Sequence, residues 1–362
     1  MFKIGLRICL ILTISVLLGS FLVTKGEAWQ FQSGEEINLK EVILADYQDK
    51  LWIVDPSTLE FTLFFAPEFP DLQSFGDVSI SPQANRIYFI VIDRKKGRPI
   101  SDINEEYLST LVQFDLASGE TTELFSDPHL ARMSTVSSDG QMEMFFSNLP
   151  HPELAYYCLF NVNTRDCTRL ERGVEINNIV WLNSNEFIGT STGISKFVVD
   201  GENLEEQILV PITANIRGRF TVSHDLKTIF LIFTVLEGER YKPKLASFDL
   251  ATQAYTELPY ELSDIFAAIN AMSVSPDNRW LAYKAGLQLN VLDLNTGASI
   301  LQQENVLEFV WTPDSTSIIA TIDPQNFGDP MSLVKIDVAS GQITQSVELE
   351  SMLYLITAYG SQ

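Results

Sequence analysis

A motif that recurs along the chain constrains the fold more than any other feature. In each copy a strand ends in Asp or Asn, and a turn, usually rich in Ser, Thr or Gly, follows it. The seven copies begin at Asp55, Asp115, Asn161, Asp200, Asp249, Asp293 and Asp337. Asp and Asn side chains accept backbone N–H bonds two or three residues further on, which is typical of turns between antiparallel strands. The mean spacing of about 47 residues matches a propeller blade of four strands.

A second motif lies upstream of every copy but the first. It consists of an apolar strand, a tight turn and a second apolar strand, most clearly over residues 272–283. The other copies centre on Ser81-Pro82, Ser137-Ser138, Leu182-Asn183, Ser223-His224 and Thr312-Pro313. The positions one and three before the turn are mostly apolar, as Phe309 and Trp311 are. This period of two predicts an innermost strand with one face packed against the next blade.

The numbers of the two motifs predict how the ring closes. The turn at Asp55 has no inner strand before it, and the last apolar segment, 352–359, has no outer strands after it. Joining the two gives an all-β, seven-bladed propeller of four-stranded antiparallel blades, closed by the C-terminal strand, and closure removes exposed strand edges. One alternative is a six-bladed ring with additional terminal strands. An eight-bladed ring would need a further pair of motifs.

One copy of the inner motif resembles a known repeat. Residues 275–283, Ser-Pro-Asp-Asn-Arg-Trp-Leu-Ala-Tyr, are similar to the repeat of the TolB-type propellers, also called WD40-like or PD40 repeats. The resemblance extends over all seven blades and is sharp in those at Ser81, Ser275 and Thr312. It implies a propeller. Family members include a periplasmic scaffold that binds other proteins and the gating propeller of prolyl-oligopeptidase-type peptidases. We expect no serine nucleophile elbow here, and a shared fold does not transfer function.

The N-terminus indicates export. Lys3 and Arg7 form a positively charged segment before an apolar run over residues 8–23, and Gly26 and Ala28 then place small residues at a cleavage site. We therefore expect a signal peptide over residues 1–28 and a single propeller domain over 29–362, periplasmic or secreted, with no membrane span in the mature form. The run is shorter than the ~20 residues that cross a bilayer comfortably. An uncleaved anchor is the alternative.

The charge of the chain limits its partners. The sequence has 24 Lys+Arg against 47 Asp+Glu, a formal net charge of −23, and about −25 without residues 1–28. So negative a protein is not expected to bind nucleic acid or an anionic membrane surface, because both are polyanions. We expect a monomer with a protein or peptide partner. The charge favours basic partners or divalent cations.

Strand alternation assigns the connections to two faces. Both motif turns open on one face, the turn face. The connections from second to third strand and from blade to blade open on the other, the loop-bearing face. The long insertions, predicted over residues 93–107, 148–156, 237–244 and 323–331, all belong to the loop-bearing face. This division is typical of a scaffold that displays a binding surface.

Basic residues gather in three segments near this face. The candidate binding residues are Arg94, Lys95, Arg98, Arg217, Arg219, Arg240 and Tyr241. In so acidic a protein they indicate a site for an acidic partner or ligand. The alternative is a set of solvated loop tips, neutralised by their own carboxylates.

Two cysteines flank a predicted hairpin turn. Cys158 and Cys167 are placed on one face of neighbouring strands, opposite or one diagonal apart. In an oxidising compartment they could form a disulfide. Two buried free thiols are the alternative.

Metal chemistry has weak support. His129 and His151 lack a third ligand, so no metal site is predicted from them, and His224 is expected to be a turn residue on the opposite face. A calcium site is a minor alternative to having no cofactor. Its oxygen-rich loop has no EF-hand spacing and contains Asp323, Gln325, Asn326 and Asp329.

These observations favour a non-enzymatic binding module that engages a protein or peptide through its loop-bearing face, with no catalytic residue. The alternative is a propeller enzyme, such as a metal-dependent lactonase or hydrolase, with its site at the channel mouth. The starts of the innermost strands offer Asp77, Asn178, Arg219 and Glu308 for such a site. A structural subunit of an envelope complex is a third hypothesis.

Overall fold

The chain forms a ring of seven antiparallel sheets in a computed structural model. The structure describes residues 30–31, 41–48, 50–66, 73–93, 108–127, 130–147, 156–169, 177–190, 193–200, 203–211, 219–237, 240–260, 262, 269–324 and 330–357. Within these ranges no helix is long and apolar enough to cross a membrane.

Blades 2 to 4 follow one another along the chain, each with its strands in sequence order. Blade 2 contains β5 (Gln73–Ser81), β6 (Arg86–Asp93), β7 (Leu108–Asp115) and β8 (Glu120–Asp127). Blade 3 contains β9 (Leu130–Val136), β10 (Met142–Ser147), β11 (Tyr156–Asn161) and β12 (Cys167–Arg169). Blade 4 contains β13 (Asn177–Trp181), β14 (Glu186–Thr190), β15 (Gly193–Asp200) and β16 (Asn203–Pro211).

Blades 5 to 7 repeat the same order. Blade 5 contains β17 (Arg219–Val222), β18 (Thr228–Glu237), β19 (Arg240–Asp249) and β20 (Tyr255–Leu258). Blade 6 contains β21 (Ile269–Val274), β22 (Trp280–Ala285), β23 (Gln288–Asp293) and β24 (Ser299–Gln303). Blade 7 contains β25 (Val306–Trp311), β26 (Ser317–Ile322), β27 (Met331–Asp337) and β28 (Gln342–Leu349).

Blade 1 joins the two ends of the chain. It contains β2 (Ile43–Tyr47), β3 (Lys50–Val54), β4 (Phe61–Ala66) and, as its innermost strand, β29 (Leu353–Thr357). The predicted closure by the C-terminal strand is confirmed, since β29 pairs antiparallel with β2. A fifth strand was not predicted: β1 (Gln30–Phe31) pairs with β4 at the outer edge of the blade.

The turns between third and fourth strands are stabilised by the Asp or Asn that defines the outer motif. The Asp55 carboxylate accepts a hydrogen bond from the Ser57 amide at 2.6 Å. These bonds to Ser57 are the main reason that the pKa of Asp55 is lowered. The same side chain-to-backbone bond forms in five other blades, at Asp115, Asn161, Asp249, Asp293 and Asp337. Asp200 ends β15 in blade 4, and residues 201–202 after it lie outside the described ranges.

The turns between first and second strands explain the Ser-x-Asp pattern of the inner motif. The Ser275 hydroxyl donates to the Asp277 carboxylate at 2.6 Å and accepts from the Trp280 amide at 2.9 Å, which holds the second strand against the turn. The same hydroxyl-to-carboxylate bond joins Ser137 to Asp139, Ser223 to Asp225 and Thr312 to Asp314.

The hydrophobic core lies between blades, and its direction corrects one prediction. Phe309 and Trp311 of β25 pack with Ala282, Leu289 and Val291 of blade 6. The apolar positions of the first strand therefore face the preceding blade, not the next one as predicted. The reason is that a strand has two faces, one toward the preceding blade and one toward the next. The alternation of apolar and polar residues does not say which face meets which blade.

One buried position holds a carboxylate where six blades have an apolar side chain. The second-strand residue opposite the last residue of the first strand, or opposite the residue before it in blade 2, is Ile43, Ile87, Phe187, Ile229, Leu281 or Ile318, each fully buried. In blade 3 this residue is Glu143, opposite Val136 and also fully buried. Neither of its carboxyl oxygens has a hydrogen-bond partner among the described residues. Burial raises the pKa of Glu143 well above its usual range.

Candidate functional site

The polar groups of the turn face are used to hold blades together. The Ser81 hydroxyl donates to the Ser138 carbonyl in the next blade at 2.7 Å. The His224 amide donates to the Asn278 side chain at 2.7 Å, and its ring Nε2 lies 2.9 Å from the Val274 carbonyl. As predicted, His224 is a turn residue, and burial lowers its pKa. This face is a set of short turns that bond to each other.

The long connections lie on the opposite face. The insertions predicted after residues 93 and 148 and near 323 fall between second and third strands, in blades 2, 3 and 7. Their central residues, 94–107, 148–155 and 325–329, lie outside the described ranges. The fourth predicted insertion is wrong. Most of residues 237–244 extend the β18–β19 hairpin, with Tyr241 opposite Leu236 and Pro243 opposite Thr234.

The predicted basic site is distributed over blades 2 and 5. Arg94, Lys95, Arg98 and Arg217 lie outside the described residues. In blade 5, the β17 residue Arg219 is half-buried and opposite Ile232. Arg240 and Tyr241 begin β19, opposite Glu237 and Leu236, at the loop-bearing end of the hairpin. Their grouping into one binding site stays a prediction.

The starts of the innermost strands form a ring of equivalent positions at the channel mouth. The residue three before the last one of each first strand, or four before it in blade 2, is Tyr354, Asp77, Met133, Asn178, Arg219, Ala271 or Glu308 in blades 1 to 7. The four channel-mouth residues predicted from the sequence are therefore equivalent. A register shift falls at or beside this position in blades 2, 3, 4, 6 and 7. Such bulges redirect side chains and are frequent near functional sites.

Two opposite charges lie at this level between blades 6 and 7, a buried Lys284 and a half-buried Glu308. The Lys284 residue of β22 is only 7% exposed, and its ammonium donates to the Leu307 carbonyl of β25. Burial lowers the pKa of Lys284, and the neighbouring Glu308 opposes this effect. Burial raises the pKa of Glu308, and Lys284 opposes this in turn. Groups perturbed in this way are candidates for proton transfer.

Sequence reasoning missed Lys284. The signal was present in its strand, because a lysine follows Ala282 and Tyr283 in a run of otherwise buried residues. Metal binding has no described group to support it: no three His, Cys, Asp or Glu side chains in the described ranges could hold an ion. Of the predicted calcium loop, only Asp323 is described, and its amide donates to the Asn305 carbonyl at 2.7 Å. His129 and His151 lie outside the described residues.

Cys158 and Cys167 are brought together in blade 3. Cys158 is opposite Arg169, and Cys167 is opposite Phe160, so the cysteines are one diagonal apart on β11 and β12. They are placed as a disulfide pair, with Cα atoms 5.6 Å apart, a separation that suits such a bond. Oxidation of the pair in the native protein stays a prediction.

A Gly-x-Ser-x-Gly sequence does occur, which the sequence argument overlooked. It is Gly189-Thr190-Ser191-Thr192-Gly193. A nucleophile elbow requires a strand, a sharp turn and then a helix. Here the segment joins β14 to β15, two antiparallel strands of blade 4. The surrounding structure therefore differs from that of a hydrolase elbow.

Comparisons with known proteins identify the fold. No protein-family model matches the sequence, and no curated protein matches it detectably. Solved structures do match. A prolyl endopeptidase has 10% identity and a TM-score of 0.57, over 90% of this chain and 51% of that protein. A Bacteroides uniformis protein described as a 6-phosphogluconolactonase has 14% identity and a TM-score of 0.56, over 88% of this chain and 100% of that protein.

TolB from Acinetobacter baumannii is also similar, with 13% identity and a TM-score of 0.48, over 88% of this chain and 67% of that protein. At such identities the likeness concerns the fold. The seven-bladed ring of the structure is the fold that the resemblance of the repeat implies.

Proposed function

We propose that this chain is an exported, non-enzymatic propeller that binds a protein or peptide partner through its loop-bearing face. The observation that carries the proposal is the difference between the two faces. On the turn face, the Ser275 hydroxyl donates to the Asp277 carboxylate within one short turn, and the Ser315 hydroxyl accepts from the Asp277 amide of the neighbouring turn. The loop-bearing face has connections of uneven length on a rigid ring. Binding residues are commonly placed on such connections.

The proposal includes location and partner class. Residues 1–28 are proposed to direct export and to be removed, leaving a periplasmic or secreted monomer. The net charge of −23 supports a protein or peptide partner over nucleic acid. Arg94, Lys95 and Arg98 are proposed to take part in partner binding from the longest connection.

A propeller enzyme is the second candidate, and one observation favours it. Lys284 and Glu308 lie at the channel mouth with pKa values shifted toward each other by burial. The similarity to a protein described as a 6-phosphogluconolactonase covers that protein completely, which suggests lactones as a first substrate class to assay. Loss of a measured hydrolysis in Lys284→Met, with the fold retained, would establish this alternative.

Affinity capture from the native envelope fraction tests the proposal. The mature chain is the bait, and it is compared with a triple variant in which Arg94, Lys95 and Arg98 are changed to Glu. The matched control is Lys227→Glu, a charge reversal at an exposed lysine on the turn face. A partner retained by the wild type and the control but lost by the triple variant supports the proposal. If the triple variant still captures the partner and the Lys227→Glu control does not, the choice of the loop-bearing face is refuted.

A further inference from the structure

Among the described residues, the exposed apolar side chains of the loop-bearing face lie in one sector of the ring. Seven large apolar or aromatic residues in the described ranges are between 38% and 51% exposed. Four lie elsewhere, on outer-edge strands or in a turn of the turn face: Ile208, Tyr255, Ile343 and Leu226. The other three are Leu287 in the β22–β23 turn, Met352 just before β29, and Tyr354 at the start of β29. All three belong to blade 6, to blade 1 or to the connection that enters blade 1.

Hydrogen bonds make this sector continuous across blades 6, 7 and 1. The Leu287 carbonyl accepts from the Val306 amide of β25 at 2.8 Å. On the other side of blade 7, the Glu350 amide donates to the Tyr47 hydroxyl of blade 1 at 3.0 Å. The second-to-third strand connections are two residues long in blades 6 and 1, at 286–287 and 48–49. These two turns are short, whereas the connection of blade 7 between them is longer and its residues 325–329 lie outside the described ranges.

The described charged side chains of the sector are mostly acidic. The acidic ones are Asp46, Glu304, Glu308, Asp323, Glu348 and Glu350. Its described basic residues are Lys50 and Lys284, and the ammonium of Lys284 is already bonded to the Leu307 carbonyl. An apolar centre supplies affinity through desolvation, and a rim of one charge sign selects a partner of the other sign. The predicted basic residues belong to the strands and connections of blades 2 and 5, outside this sector.

We infer that the sector formed by blades 6, 7 and 1 docks a short cationic peptide segment whose apolar side chains contact Leu287, Met352 and Tyr354. The inference rests on the proposed function and specifies the chemistry of the partner. The lysines or arginines of the segment lie over Glu304, Glu348 and Glu350. This assignment differs from the acidic ligand that the basic residues of blades 2 and 5 would take.

A synthetic peptide tests the inference directly. The probe is a fluorescently labelled heptapeptide in which lysines alternate with leucine, tryptophan and leucine, and binding is followed by anisotropy. Two control peptides replace every lysine by glutamate or every apolar residue by serine. We expect saturable binding of the cationic apolar peptide and at least about tenfold weaker binding of both controls. The affinity should fall as salt is raised, because the screening length shrinks from about 30 Å at 0.01 M to about 8 Å at 0.15 M ionic strength.

Variants of the protein locate the binding. Leu287→Ser and Met352→Ser are expected to weaken the peptide at least about fivefold each, and Glu304→Lys should weaken it and flatten its salt dependence. Matched controls are Leu226→Ser on the turn face and Glu205→Lys on the outer strand of blade 4, both exposed. Unchanged circular dichroism and melting temperature establish that a variant is folded. Peptide binding that is absent, or that the sector variants and the controls alter equally, would overturn the inference.

The capture experiment separates this inference from the proposed function. A native partner lost by the sector variants supports both. A native partner that the sector variants retain and the Arg94, Lys95 and Arg98 triple variant loses leaves the proposed function standing and refutes the inference. If the cationic peptide binds the sector but no bait captures a protein or peptide partner, the inference about the surface is supported and the proposed function is not.

Discussion

Replacing the buried carboxylate of blade 3 should stabilise the protein. Glu143 occupies a position that is Ile, Leu or Phe in the other six blades, and its oxygens have no hydrogen-bond partner among the described residues. In Glu143→Leu an apolar side chain fills the same site between blades 2 and 3. Burial of an unpaired polar group costs about 1–3 kcal/mol, so the free energy of unfolding should rise by about that amount even when the carboxyl is protonated.

The stabilisation should increase with pH. The unfolded chain releases the Glu143 proton near the ordinary pKa of 4.5, whereas the folded protein, in which burial raises the pKa, holds it to higher pH. Above that ordinary pKa the folded state binds more protons than the unfolded state. The contribution of Glu143 to the free energy of unfolding therefore falls by about 1.4 kcal/mol per pH unit until the raised pKa is reached. Glu143→Leu lacks this contribution.

Urea denaturation at a series of pH values measures both effects. The variants are Glu143→Leu and Glu143→Gln, which removes the titration but keeps a polar side chain, and the control is Glu123→Leu at an exposed site on β8. The difference between wild type and Glu143→Leu should widen as the pH rises, at similar denaturant dependence. A difference that is constant with pH, or a less stable Glu143→Leu, would refute the account of Glu143 as an unpaired buried acid.

Three further predictions concern the ring. Deleting residues 352–362 removes the innermost strand of blade 1, so the protein should unfold or aggregate, as light scattering and thermal melting would reveal; a monomer of unchanged stability would contradict closure by β29. Non-reducing mass spectrometry should find Cys158 and Cys167 joined by a disulfide. Reduction should then lower the free energy of unfolding by about 2–3 kcal/mol. Alkylation of both thiols after denaturation without reductant would refute the disulfide. Ser275→Ala loses the hydroxyl's bonds to a carboxylate and a backbone amide and should lower the free energy of unfolding in urea by roughly 1–2 kcal/mol. The control Ser340→Ala should lower it clearly less, because the hydrogen bonds of the Ser340 hydroxyl are exposed. Equal effects of the two substitutions would contradict a structural role for the Ser275 hydroxyl.

The candidate site was less accessible from sequence than the ring. Four channel-mouth residues, Asp77, Asn178, Arg219 and Glu308, followed from the starts of the innermost strands, and the structure places them at equivalent positions. Lys284 was missed, because it comes from a second strand and reaches the mouth by contacting the Leu307 carbonyl of the next blade. The insertion predicted over residues 237–244 was wrong: Pro243, a residue type that usually argues against a strand, lies within the β18–β19 hairpin.

The amino-acid sequence by itself determined the repeating unit, the number of blades and the closing strand. Those features depend on turns whose hydrogen bonds join residues a few positions apart, as Asp55 and Ser57 do, so the pattern is readable wherever it recurs. The tertiary structure decided which neighbour each strand face meets, that Glu143 is fully buried, and that Leu287, Met352 and Tyr354 share one sector. The physical reason is that these neighbours are separated by one blade or by the whole ring, and only closure brings them together.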